Sequence, residues 1–377
     1  MDSDSAVATE NARDFRVVFA GGGTGGHLYP AIALAEAFQK RDIEFSCVFI
    51  GTTYGIEARV LPQLGYTLHL IWMRGLLRKL TLSNLLFPIR LLVSTMQCVR
   101  LFGRFKPHIV IGTGGYVSGP ALMAARGRKI PHVMQEQNSF PGLATRTSSK
   151  KAAAIFLTFE ESRKFFPKSA NLRVVGNPVR GSLQKATREE AMREWNLNAK
   201  STTLFVFGGS QGARRINQIV LEILPKLREI KSLQILWATG PASFDQIKNQ
   251  CKDYPPVHLV PYIDKMSLAY AAADFVICRS GASTLAELAL CGLPSILIPF
   301  PYATADHQTF NAAAVQSAGA AIVIPEKELN DKALLKKIHE LMDSPRQRRK
   351  MAAAAKSLAK PRAADDIVDF CLSLTHF

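Results

Sequence analysis

Residues 19–30 read "FAGGGTGGHLYP", five glycines and one threonine between an apolar run and a histidine. Glycine loses more backbone freedom on folding than any other residue. Such a loop is therefore kept where something must approach the main chain closely. Upstream stands the strand-like "RVVFA"; downstream the apolar spacing becomes helical. The unit is thus strand, glycine turn, helix. It recurs as "TLFVFGGSQGAR" at 203–214. A second related pair is "HIVIGTGGYVSGPALMAARG" at 108–127 and "FVICRSGASTLAELALCG" at 275–292, each strand, glycine, helix and closing glycine.

Further β-rich runs, "FSCVFIG", "AAIFL", "LQILWATG", "SILIPF" and "AAIVI", alternate with helical stretches, the pattern of parallel α/β units. Two similar halves follow, residues 15–180 and 181–360, joined after "VVGNPVR" at 174–180. Residues 1–14, "MDSDSAVATENARD", are polar and acidic, which fits a disordered tail and not a signal peptide. At 377 residues the chain can hold two cores. Its six cysteines form no C-x-x-C pair, which disfavours a disulfide framework or a zinc site.

Charge narrows the partners. The formal net charge is +17, and between Glu57 and Glu136 eleven Lys or Arg occur without one acid. Such a surface attracts phosphates, of nucleic acid or of anionic lipid. Only 8% of residues are aromatic and no recognition motif appears, so nucleic acid is the weaker expectation. No uncharged apolar run reaches the roughly eighteen residues a spanning helix needs. Within 72–87, Trp72, Leu76 and Leu77 alternate with Arg74, Arg78 and Lys79, which reads as an interfacial membrane contact. Residues 89–102 have helical apolar spacing and are expected as a buried domain helix.

Gly21, Gly23 and Gly26 formally satisfy the dinucleotide fingerprint G-x-G-x-x-G. That use also needs an acid at the end of the next strand, yet "FSCVFI" runs into Gly51, Thr52 and Thr53. An NAD-dependent oxidoreductase is disfavoured on that ground. No Walker-type G-x-x-x-x-G-K-[ST] occurs either. What remains is physical: glycine backbones at helix starts cradle anionic or hydroxyl-rich groups. Three such loops, "GGGTGGH", "GTGGYVSG" and "GGSQGA", point to a cleft at the carboxyl ends of strands.

The ordered set "GGTGGHLYPAIALAE", "GTGGYVSGP", "QEQNSFPG", "VVGNPVR", "GGSQGARRIN", "YIDKM", "CRSGASTLAELALCGLPSILIPFPYATADHQTFNA" and "AGAA" spans residues 16 to 325. In it the chain resembles the MurG family, membrane-associated transferases that add N-acetylglucosamine to lipid I in bacterial peptidoglycan synthesis. The resemblance implies an α/β protein of the GT-B arrangement, two Rossmann-like parallel-sheet domains facing across a cleft. The last helix, 361–377, would cross back to the first domain. It implies a second domain that binds UDP-N-acetylglucosamine, a lipid I acceptor, an anionic membrane surface on the cytoplasmic face of the plasma membrane, and no cofactor. Another GT-B UDP-sugar enzyme, such as a UDP-N-acetylglucosamine 2-epimerase, is the near alternative.

Single residues can be weighed in the same way. Ser210 can bind diphosphate at a helix start or simply cap that helix. Glu287 can accept both ribose hydroxyls, although Thr284-x-x-Glu287 also spells a capping box. The resemblance assigns the ribose to Glu287 and lines the donor pocket with Ala282, Ser283, Thr284, Leu285 and Ala286. It adds Arg180 as a donor or diphosphate contact and Ile263 through its backbone. Gln308 can read sugar hydroxyls through its amide, whereas Asp306 beside it can serve the site or cap a helix. The resemblance also implies that Thr24, Gly25, Gly26 and Asn138 face the sugar from the first domain. Gln135 stands where the family more often has His. The only D-x-D, Asp2-Ser-Asp4, lies in the tail, so no metal site is expected. His27, at a helix start where the dipole depresses its pKa, is either the general base or a loop histidine that orients Thr24 or the substrate.

Overall fold

The computed structural model describes residues 14–75, 85–209, 213–251, 257–303 and 306–377. Leu76, Leu77, Arg78, Lys79 and Ser210 lie outside the described residues. Alternating strands and helices build two parallel sheets. The first contains β1 (Phe15–Gly21), β2 (Phe45–Gly51), β3 (Leu68–Leu70), β4 (Ile109–Gly114), β5 (His132–Glu136), β6 (Ala154–Leu157) and β7 (Leu172–Val174), in the order β3-β2-β1-β4-β5-β6-β7. The second contains β8 (Thr202–Phe207), β9 (Leu233–Ala238), β10 (Val257–Val260), β11 (Phe275–Cys278), β12 (Ser295–Leu297) and β13 (Ala321–Val323), in the order β10-β9-β8-β11-β12-β13.

Both sheets grow outward from their first strand and then reverse. The reversal falls between β1 and β4, with Val17 beside Ile109, and between β8 and β11, with Val206 beside Ile277. At such a point neighbouring connections leave on opposite faces, and a crevice opens at the carboxyl ends. The four repeated glycine segments are the loops at these two points.

Four strands, β3, β5, β7 and β10, were not among the runs legible in the sequence. Three of them are short edges of a sheet. The fourth, β5, is central but ends in Gln135 and Glu136, so its apolar run is broken by the polar groups it delivers to the cleft.

The first core is aromatic: Phe15, Phe19, Phe38 and Phe49 are fully buried, with the Phe19 and Phe49 rings stacked at 5.0 Å. The helix Gly25–Gln39 buries Leu28, Ile32, Leu34 and Phe38 against them. From the far end of the chain, the helix Ala363–Leu374 seals the same core with Ile367, Val368 and Cys371. Arg41 ties that helix down by ion pairs to Asp365 and Asp369 at 3.1 and 2.7 Å. The second sheet is sandwiched between two clusters, one around Trp237 and Ile219, the other around Phe205 and Tyr270.

The helix Phe87–Phe105 corrects the reading of 89–102 as a buried domain helix. Only Ser94, Cys98 and Phe102 are buried in it. Leu85 just before it and Ile89, Leu92 and Met96 along it are 76%, 53%, 58% and 51% exposed. The spacing is helical, as expected, but the row at 85, 89, 92 and 96 faces away from the core. No helix among the described residues is long and apolar enough to cross a membrane.

Candidate active site

The loop after β1 is held by contacts that only glycine permits. A Cβ on Gly21 would lie 1.7 Å from the Thr113 hydroxyl, because β1 and β4 shift register there. Gly115, at φ +78°, brings its main chain so near the Gly22 carbonyl that a Cβ would sit 2.4 Å away. Beneath the loop lies Glu57, fully buried. Its carboxylate accepts from the backbone of Gly23 at 2.8 Å, and from the backbone and hydroxyl of Thr52 at 3.0 and 3.1 Å. Sequence reasoning missed this acid, since it lies six residues beyond the strand end where a ribose acid was sought. Glu57→Ala leaves those donors unpaired, and we expect a loss of about 3 kcal/mol. A denaturant melt of the folded variant measures it; an unchanged midpoint would remove Glu57 as the loop's anchor.

Thr24 is the N-cap of the first helix by position, with extended backbone and no side-chain capping bond. His27 therefore stands in the first turn, beside exposed Gly26. Its backbone carbonyl accepts from the Thr113 hydroxyl at 2.8 Å, and its Nδ1 lies 3.0 Å from Gln137 Oε1. Burial holds its pKa below the ordinary histidine value, opposed by acceptors on Gln137 and Thr113 and by the charge of Glu57. The direction matches the expectation from the helix dipole; the leading cause is burial.

Pro30 shapes the same turn. It has no N–H to return to the Gly26 carbonyl four residues back. That carbonyl instead lies 3.4 Å from the Ser283 hydroxyl of the second domain. Ser283 also accepts from Asn177 Nδ2 at 3.3 Å. A second bridge is built on Asn311, fully buried, whose Oδ1 accepts from the backbone and hydroxyl of Ser139 at 3.0 and 2.9 Å. Asn311 Nδ2 reaches Asn138 Oδ1 at 3.3 Å. The two carboxyl-end rims thus touch through polar side chains.

Helix Ala282–Cys291 starts from Gly281 at its N-cap, with no side-chain capping bond. The capping box read at Thr284 and Glu287 does not form. Glu287 Oε2 instead accepts from the Tyr270 hydroxyl at 2.7 Å. Burial pushes the Glu287 carboxyl up, with the Tyr270 bond and Arg180 pulling it back. Arg180 lies with its guanidinium 4.9 Å from the Tyr29 ring centre, and its Nε is buried without a partner. Tyr29 in turn meets Tyr262 at 3.5 Å. Arg180, Glu287, Tyr29 and Tyr262 therefore form one cluster where the domains meet.

Ala282 and Leu285 are buried, while Ser283, Thr284 and Ala286 remain partly open at the same helix start. Ile263 packs its side chain in the second core, 5% exposed. Gln308 accepts from the Phe300 backbone at 3.0 Å through Oε1. Asp306 sits at a helix N-cap position with φ +54° but makes no capping bond; it accepts from Thr309 Oγ1 at 2.6 Å. Of the two readings open for Asp306, side-chain capping is the one that does not form. The helix after β8 begins at Arg214 with Ala213 at its N-cap position.

Trp72 and Arg74 stand apart from the cleft cluster but beside its rim. The Trp72 backbone donates to Gln97 Oε1 at 2.9 Å, and Arg90 lies 5.6 Å from the Trp72 ring centre. One residue beyond Arg74, Gly75 packs on the Tyr116 ring, which also covers Gly23.

Two family models match: glycosyltransferase family 28 N-terminal domain over residues 17–157, and glycosyltransferase family 28 C-terminal domain over 203–367. Curated relatives include the UDP-N-acetylglucosamine–N-acetylmuramyl-(pentapeptide) pyrophosphoryl-undecaprenol N-acetylglucosamine transferase of Desulforamulus reducens, 40% identical over 94% of this chain and 97% of that protein. The protein of the same name from Myxococcus xanthus is 42% identical over 95% and 93%. Among solved structures, Acinetobacter baumannii MurG superposes with a TM-score of 0.74 at 29% identity, covering 95% of this chain and 99% of its own. Near-complete coverage at about 40% identity, over both halves of the cleft, means that the chain belongs to the MurG family of glycosyltransferases.

Proposed function

We propose that this protein transfers N-acetylglucosamine from UDP-N-acetylglucosamine to the C4 hydroxyl of the N-acetylmuramic acid of lipid I, with inversion, forming the β-1,4 link of lipid II. The observation that carries this reading is the pairing of two switch-point loops, His27 on one side and the Ser283–Glu287 helix start on the other. The donor lies against the second domain, with the uridine ribose on Glu287, the diphosphate at the amides of Ala282 to Leu285, and Arg180 beside it. Oriented amides and a guanidinium stabilise the departing diphosphate. Asn138 and Gln308 address the sugar from either side. His27, kept neutral by burial, takes the proton of the acceptor hydroxyl as that oxygen attacks the anomeric carbon and UDP leaves. UDP release from UDP-N-acetylglucosamine tests the reading. Release should require a lipid I analogue; release, or epimerised donor, without any acceptor would overturn it.

The lipid acceptor requires contact with a bilayer. The exposed row Ile89, Leu92 and Met96, with Trp72 beside it and Arg74, Arg90 and Arg100 around it, supplies an apolar face ringed by cations. Gly75, next to Arg74 at the edge of this face, packs on the Tyr116 ring that covers Gly23, so a headgroup docked at that edge lies toward the glycine loop. Such a face supports a reading of the protein as a peripheral enzyme of the cytoplasmic membrane surface. Each basic residue near an anionic surface contributes about 1 kcal/mol. Reversing Arg74, Arg90 and Arg100 to Glu should therefore abolish sedimentation with phosphatidylglycerol vesicles. Turnover of a short-chain, water-soluble acceptor should persist. Undiminished sedimentation of the triple variant would move the docking surface elsewhere.

A further inference from the structure

Behind His27 lies a run of buried carboxamides. Gln137, Gln135 and Asn177 are 2%, 1% and 3% exposed, and none of them belongs to the donor or acceptor contacts assigned above. Each can be oriented by what it faces. The terminal group of Gln137 lies 2.6 Å from the Thr113 carbonyl and 3.2 Å from the Gln135 carbonyl. Backbone carbonyls only accept, so that group is the NH2, and it also donates to Gln135 Oε1. Gln137 Oε1 is then the atom presented to His27 Nδ1 at 3.0 Å. A carbonyl oxygen cannot donate. The proton of that contact must come from the imidazole.

The same sense runs on. With its oxygen taken by Gln137, Gln135 donates through Nε2 to Asn177 Oδ1 at 3.0 Å and to Thr158 Oγ1 at 3.3 Å. Asn177 is left to donate through Nδ2 to Ser283 Oγ, and Ser283 donates to the Gly26 carbonyl. Five donors thus point one way, from His27 through Gln137, Gln135, Asn177 and Ser283, and end one residue before His27. Bonds aligned head to tail polarise one another, and reversing any one amide would set like against like, oxygen on oxygen or NH2 on NH2. Ser283 belongs to the second domain, so the ring closes only when the domains meet. Gln135 fits this place as a group that both donates and accepts.

We infer that Gln137 is a positioning residue that fixes His27 as the Nδ1–H tautomer, leaving Nε2 as the basic nitrogen for the acceptor hydroxyl. The inference deepens the proposed role of His27 as general base and rests on it for its catalytic consequence. Its structural half stands separately. A histidine in the wrong tautomer presents a proton where a lone pair is needed, and it cannot accept one there.

The test uses the full-length protein with 15N-labelled histidine, the His27 signals being assigned by their loss in His27→Asn. In the parent at a pH where His27 is neutral, proton–nitrogen correlation should show Nδ1 protonated and Nε2 bare. Gln137→Met keeps the chain length and removes both polar ends. It should lower kcat roughly 10- to 100-fold, leave donor KM within about twofold, and give His27 a mixed or Nε2–H pattern. A parent His27 already protonated on Nε2 overturns the inference whether or not the variant folds. A folded Gln137→Met whose His27 stays purely Nδ1–H overturns it too, as does one with parental kcat when His27→Ala has lost turnover. If His27→Ala keeps its turnover while the parent shows the Nδ1–H form, the base assignment fails and the tautomer control stands.

Discussion

His27→Ala should cut kcat by roughly 10²–10⁴ while donor KM stays within about twofold, the range a positioned general base contributes. The split follows from geometry. The imidazole is held in the first domain by Gln137, whereas Glu287 and Arg180 cluster around Tyr270 and Tyr29. Removing the ring leaves those donor-side contacts in place. The pH profile adds a second check. Burial lowers the His27 pKa below its ordinary 6.5. The ring is the working base only when unprotonated, so activity should hold as pH falls through 6.5 and fail below it. Turnover of the Ala variant within about threefold of the parent would place the base elsewhere. Asp306, with its carboxylate at the cleft-side helix start, is the next group to replace.

Why could the sequence place His27 but not its controller? His27, Gly26 and Ser283 sit in glycine-rich strand ends, and their position follows from two local facts, a strand that stops and a helix that starts. Internal repetition doubled that signal: the four related segments proved to be the loops after β1, β4, β8 and β11, at both reversals of strand order. Gln137 and Asn177 lie inside quoted motifs, "QEQNSF" and "VVGNPVR", yet nothing in an amide's neighbours along the chain tells what it meets forty residues away. Their link through Gln135 exists only once the end of β5 and the loop after β7 meet across β6. Glu57 was hidden for a related reason, since its partners Gly23 and Thr52 meet it through a turn. The outward face of the Phe87–Phe105 helix was misread because periodicity gives the stripe and not its direction. A stripe packed on a core and a stripe facing a bilayer have the same spacing.

Glu287→Ala should raise donor KM about 10- to 100-fold, the loss of a charged hydrogen bond to a ribose diol at about 1.5–3 kcal/mol. One carboxylate oxygen already accepts from Tyr270, which fixes the group's orientation and leaves Oε1 and a lone pair of Oε2 for two hydroxyls. A helix cap would behave differently, but Gly281 occupies the N-cap position and Glu287 makes no capping bond, so helix fraying is not the expected outcome. Ionisation offers the sharper discrimination. Burial raises the Glu287 pKa, against the Tyr270 bond and the Arg180 charge. A raised carboxyl pKa means the proton returns at a higher pH than usual on acidification. Affinity for UDP should therefore be full when the group is ionised and decline as pH falls through that raised value. Glu287→Gln, which cannot ionise, should bind weakly at every pH and lose this dependence. Calorimetric titration of UDP into parent and Gln variant, carried down in pH until the parent weakens, measures both features. A Gln variant that binds UDP as tightly as the parent, or that weakens on acidification just as the parent does, would take the ribose away from Glu287. Arg180, whose buried Nε is without a partner in the same cluster, would then be the group to test for the donor.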